Sequence, residues 1–154
     1  MTTTAFERPA TGTGPRIPLA AALFGASLAG AAFTFQGAFQ VLNDPDWGAD
    51  AWLGWAVGLV AIAIAGLIAY KVGRGGLVPG NARGASTRAL GFGVVSVLLI
   101  PVFWLGAYAA FSVASIVVGS QGLGGTRGQR VRSIAGMGLG VLGGAAGVLA
   151  NLIG

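Results

Sequence analysis

Four apolar stretches, residues 17–42, 51–70, 89–120 and 133–153, contain no Asp, Glu, Lys, Arg or His and together take up most of the chain. A helix needs about 20 such residues to cross a bilayer core of about 30 Å. A single soluble core needs no such amount: 55% of the 154 residues are hydrophobic and only 8% are charged. The expectation is an all-α integral membrane protein whose residues 17–154 form one helical membrane domain. Residues 1–16, rich in Thr, Pro and Gly and carrying Glu7, Arg8 and Arg16, are expected to be a flexible tail.

The charges between the stretches set an orientation. All nine cations lie in the tail or in two Gly-rich loops, one with Lys71, Arg74, Arg83 and Arg88, the other with Arg127, Arg130 and Arg132. Three of the four acids, Asp44, Asp46 and Asp50, lie in the turn between the first two stretches, which has no cation. The positive-inside rule then puts the tail and both basic loops in the cytoplasm of a multi-pass protein of the cell membrane. The acidic turn falls outside. The net charge of +5 is thereby explained without nucleic acid, because the cations form no basic face of a folded domain. Arg in place of Lys, with abundant Ala, Gly and Val, is the composition of proteins from GC-rich bacterial genomes. A cleaved signal peptide is disfavoured, since the first stretch runs on through Phe33, Phe35, Phe39, Val41 and Leu42.

The third stretch decides the topology. One crossing by residues 89–120 would place Arg127, Arg130 and Arg132 on the acidic side, whereas two passes keep both basic loops together. Two full helices do not fit in that length. The expectation is three full spans, about 17–42, 51–70 and 133–153, plus a short or re-entrant hairpin at 89–120 that turns near Pro101 to Gly106; the alternative is four transmembrane helices.

Gly136, Gly140 and Gly144 recur every four residues on one face of the last stretch, and Gly143 and Gly147 repeat the spacing beside them. Such rows let helix backbones approach closely, either within the chain or across a dimer. Gly54 and Gly58 make a weaker pair, Gly25 with Ala29 a weaker one again, while Gly122 falls in the second basic loop. Gln36 and Gln40 share a helical face and are expected to pair across a helix interface. Trp47, Trp52, Trp55 and Trp104 read as anchors at the outer interface.

The chain has no Cys and no His. That removes disulfides, thiolate and imidazole metal ligation and the usual general base at neutral pH. No Walker, zinc-protease or Ser-His-Asp pattern is present, and the ion-coupling carboxylates of transporters are missing from the stretches. No catalytic, cofactor or metal residue is expected, although bound lipid, quinone or carotenoid is compatible with the chain. The run Ser133-Ile134-Ala135-Gly136-Met137-Gly138-Leu139-Gly140-Val141-Leu142-Gly143, preceded by a basic Gly-rich loop and a broken apolar stretch, resembles a family of small actinobacterial membrane domains of unknown function. That resemblance covers residues 89–154 and implies a membrane domain, with no catalytic residues to transfer. These features lead to a non-catalytic accessory or scaffolding subunit that packs against other integral membrane subunits in the bilayer. A holin-like pore or a lipid or transport component is the alternative.

Overall fold

The computed structural model describes the backbone of residues 18–42 and 48–153, with all their side chains except those of 33, 36–42, 48–51, 103 and 104. The tail, residues 43–47 with Asp44, Asp46 and Trp47, and the side chains of Gln36, Gln40 and Trp104 lie outside the described residues, while Asp50 falls on a helix and not in the turn. The described residues are all-α. The helices are α1 (Leu19–Leu42), α2 (Gly48–Gly73), α3 (Ala82–Leu98), α4 (Tyr108–Gly122) and α5 (Arg127–Ile153). Short 3-10 segments follow α2 at Arg74–Gly76 and α3 at Ile100–Leu105.

Two helical segments, Trp52–Gly76 and Arg127–Ile153, are long and apolar enough to cross a membrane. Three helices begin earlier than their apolar stretches: α2 before residue 51, α3 before 89 and α5 before 133. Hydropathy marks the part of a helix that avoids water, whereas the hydrogen-bond ladder runs on into polar sequence until a cap stops it. For α3 that cap is Asn81, whose Oδ1 accepts the Gly84 N–H at 3.0 Å while its Nδ2 donates to the Gly75 carbonyl at 3.0 Å. For α5, Gln129 Oε1 accepts the Thr126 N–H at 2.9 Å, half of a capping box. Arg83, Arg88, Arg127, Arg130 and Arg132 therefore sit on helices, not in loops.

Helix α3 ends at Leu98, ahead of Pro101, which has no N–H to continue the ladder. The chain reverses through Val102, at φ −113° and ψ 37°, and Gly106, at φ 66°. Gly106 needs its missing side chain twice over. Its backbone is left-handed, and a Cβ there would lie 2.9 Å from both the Gly30 carbonyl oxygen and Ile62 Cδ1.

Neighbouring pairs set the directions of the helices. Leu19 meets Gly73 and Thr34 meets Gly58, so α1 and α2 are antiparallel; Ala89 meets Gly119 and the Phe92 and Phe111 rings lie 6.1 Å apart, so α3 and α4 are too. Helix α5 runs antiparallel to α4, with Ser133 on Gly122 and Gly147 on Tyr108, and parallel to α3, with Gly136 on Ala89 and Gly143 on Ser96. Val118 of α4 reaches Gly73 and Gly76, joining the α1–α2 pair to the other three helices.

One consequence is that the α3–α4 hairpin is shallow. Its tip at Gly106 packs against Gly30 and Ile62, which lie about 17 Å by helical rise from the end where Leu19, Gly73 and Val118 meet. Beyond that tip α1 continues for about 18 Å and α2 for about 21 Å.

Small side chains make up much of the core, around larger ones that include Leu19, Leu23, Phe92, Tyr108, Phe111 and Val118. Ala65, Ala69, Ala85, Ala89, Ala110 and Ala114 are buried, together with Ser86, Ser96, Ser112, Ser115 and Ser133. Many large apolar residues nevertheless point outwards: Leu53, Val60, Ile64, Leu67, Leu98, Val141, Leu142 and Leu149 are each more than half exposed. So much large aliphatic surface is more than a water-soluble domain ordinarily exposes.

Candidate functional site

Helix α5 supplies the first candidate surface, and both of its glycine rows are used inside the chain. A Cβ on Gly136 would lie 2.5 Å from the Ala89 carbonyl carbon and 2.6 Å from the Leu90 nitrogen, so α3 and α5 touch backbone to backbone. Gly140 packs under Ser115 and the Ser112 carbonyl, Gly144 under Ser112, Gly143 under Ser96 and Gly147 under the Tyr108 ring. The outward face of α5 carries Val131, Ile134, Val141, Leu142 and Leu149. Gly138, also exposed, has open space around it.

The serines opposite the glycines are what the glycine spacing alone does not reveal. Each is small enough to enter the groove that a glycine leaves, and Ser112 also returns a hydrogen bond to the helix opposite. Ser112 Oγ donates to the Gly140 carbonyl at 2.6 Å and Ser115 Oγ to the Ser112 carbonyl at 2.8 Å. Asn151 Nδ2 donates to Tyr108 Oη at 3.3 Å and to the Gly147 carbonyl at 3.0 Å. Ser133 differs, being fully buried with no hydrogen-bond partner for its Oγ. Replacing Ser112 by Ala is expected to lower stability by about 1 kcal/mol, the net worth of one buried hydrogen bond. Ser133→Ala, which removes an unsatisfied hydroxyl, is expected to be neutral or stabilising. Detergent-denaturant titrations of the two variants against the parent measure both.

Two sequence expectations are corrected here. Gly122 is no loop residue: it closes α4 and is buried beneath Ser133, so a Cβ there would collide with Ser133 Oγ. Gly54 has open space around it, whereas its partner in the pattern, Gly58, is buried under the Thr34 methyl group, whose hydroxyl donates to the Gly30 carbonyl at 2.8 Å. A Gly-x-x-x-Gly spacing marks a face, and only the neighbour decides whether each glycine is covered. Trp52 and Trp55 are brought together edge to face at 5.8 Å, and Phe35 stands at the same distance from Trp55. Trp52 is half exposed, and the Trp55 Nε1 is buried with no hydrogen-bond partner.

The second candidate surface is the basic end. Because α3 and α5 are parallel and both begin where α2 ends, Lys71, Arg74, Arg83, Arg88, Arg127, Arg130 and Arg132 all gather at one end of the bundle. A cleft between the two basic loops is lined by Gly76, Pro79, Asn81, Gln121, Thr126 and Gln129. No Asp or Glu occurs after Asp50, so nothing in residues 51–154 neutralises these cations. Arg130 Nε donates to the Leu123 carbonyl at 3.1 Å. The first turns of α3 and α5 hold Arg and no acid, opposite to the preference of a helix N-terminus for negative charge. Among the described residues no cluster of three or more His, Cys, Asp or Glu could hold a metal ion.

No family model, curated protein or solved structure matches this chain.

Proposed function

We propose that the chain is a non-catalytic integral membrane protein of the bacterial cell membrane, serving as an accessory or scaffolding subunit of a larger membrane complex. What carries this reading is the aliphatic surface: many small residues are spent on internal helix contacts, and many large aliphatic side chains are left for an apolar surrounding. In this arrangement α1, α2 and α5 span the bilayer. The α3–α4 hairpin enters from the basic side and turns back partway. Backbone outside a regular helix is tolerated at membrane depth where protein covers it, and the packing of Gly106 on Gly30 and Ile62 supplies such cover.

The charge layout supports a cytoplasmic basic end and N-terminus. Trp52 and Trp55 then stand towards the opposite interface as anchors, in keeping with the preference of indoles for the headgroup zone. Since the glycine rows of α5 are already occupied within the chain, contacts with other subunits fall on the outward aliphatic faces. The proposal assigns no chemical step and no resident cofactor.

Extraction of tagged chain from its native membrane in mild detergent, followed by gel filtration, tests this. The expected result is a complex of fixed stoichiometry containing at least one different integral membrane protein. Recovery of homo-oligomers alone would favour a pore, and recovery in the soluble fraction would end the membrane reading.

A further inference from the structure

We infer that the corner between the end of α2 and the start of α3 is a binding site for the phosphate of an anionic phospholipid, with Arg88 and Arg83 as its ligands. The inference rests on the membrane reading above and adds a ligand class and a location to it. The first observation is a slot shaped for a guanidinium. Arg88 is half-buried and its guanidinium lies between two glycines: a Cβ on Gly75 would stand 2.9 Å from one terminal nitrogen, and a Cβ on Gly84 2.6 Å from the other. A third glycine, Gly76, borders the stem, with a Cβ there 3.5 Å from Arg88 Cδ. Asn81 ties the corner together through the Gly75 carbonyl and the Gly84 N–H.

The second observation is that the slot holds a cation with no counter-charge among the described residues around it. Arg88 has no hydrogen bond or ion pair among the described residues, and no Asp or Glu follows Asp50 in the sequence. Arg83 and Arg88 line one open cleft together with Asn81, Gly84 and Thr87. Two guanidinium groups on one cleft suit a phosphate, whose oxygens accept paired N–H donors. The start of α3 adds its own partial positive charge to the same place.

The third observation concerns depth. Along the two helices that form the corner, exposed apolar side chains begin close by, with Val72 and Tyr70 on α2 and Val94 on α3. The cleft thus lies at the boundary between the charged end and the aliphatic belt, where a bound phosphate would carry acyl chains down along the protein. A free anion would gain nothing from that neighbourhood, so the occupant is a phospholipid.

The test uses the full chain reconstituted into vesicles of equal phosphatidylglycerol and phosphatidylcholine, re-extracted in mild detergent, with the co-purified lipid quantified by mass spectrometry. The parent is expected to retain phosphatidylglycerol over phosphatidylcholine. Arg88→Gln and Arg83→Gln are each expected to lower that preference about tenfold or more, the factor that corresponds to losing a charge-assisted hydrogen bond. Arg132→Gln, on α5 and outside the cleft, is expected to lower it by less than about fivefold, the diffuse attraction of one surface cation. Arg83 is exposed, so its variant keeps the test valid even if Arg88→Gln impairs folding. Equal retention of both lipids by the parent overturns the inference, as does an equal loss in Arg132→Gln, which would indicate diffuse attraction. Displacement of the lipid by millimolar inorganic phosphate overturns it in favour of a free-anion site. A chain that inserts without lipid preference sinks this inference alone, whereas failure to insert sinks it together with the membrane reading.

Discussion

Gly136→Leu is expected to abolish the compact bundle, while Gly138→Leu, two residues along the same helix, leaves it intact. At Gly136 the first atom of any side chain would already meet the backbone of α3 at Ala89 and Leu90, and backbone cannot rotate away as a side-chain tip can. The helices must separate, which forfeits close contacts along the whole α3–α5 seam. A cost of about 3 kcal/mol or more is expected, at the upper end for overpacking. Gly140→Leu should follow it, since Ser115 and the Ser112 carbonyl occupy the space. Gly138 has open space around it, so its substitution should shift stability by no more than about 0.5 kcal/mol. Detergent-denaturant unfolding and gel filtration of the three variants measure this difference. Equal stability of all three would mean that α5 does not pack on α3.

A second large effect is expected from topology labelling, which the absence of cysteine makes clean. Cysteines placed at Val78 and Gly128 should both be protected from an impermeant thiol reagent in intact cells and both react in inverted vesicles. The contrast is close to all or none. Both positions are exposed, and Gly128 has open space around it, so neither substitution disturbs packing. The two loops meet across one cleft, which places them on the same side of whatever surrounds the bundle. Reaction at position 128 without reaction at 78 in intact cells would contradict the fold itself.

Much of this arrangement is legible in the sequence. The break at Pro101 to Gly106 follows from proline and from a left-handed glycine, and the common end for the two basic loops follows from charge. The glycine rows of α5 announce close packing, although not its partner. The serines of α3 and α4 stand among apolar residues with no periodicity of their own, and they become significant only when set opposite Gly140, Gly143 and Gly144. Gly54 and Gly58 look alike in sequence, and the difference between them is made by Thr34 on another helix. Gly122 is misplaced because a run of glycines reads as a loop, whereas α4 holds its ladder to that residue through contact with Ser133. The Arg88 slot is hidden for the same reason: it needs Gly75 and Gly84, which precede and follow the Pro79-Gly80-Asn81 turn, to be folded onto one guanidinium.

The alanines, glycines and serines of the core also bear on how the bundle orders itself. Alanine and glycine have no side-chain rotamers to freeze, so assembling α3, α4 and α5 costs little side-chain conformational entropy compared with a core of leucine or methionine. The same property removes any means of adjustment. A core of long side chains can absorb an added methylene by changing rotamers, whereas here Gly136 meets backbone and Gly140, Gly143 and Gly144 each meet a serine one atom deep. The helices therefore fit in a single register, and the bundle is expected to behave as a rigid block, with motion left to its loops.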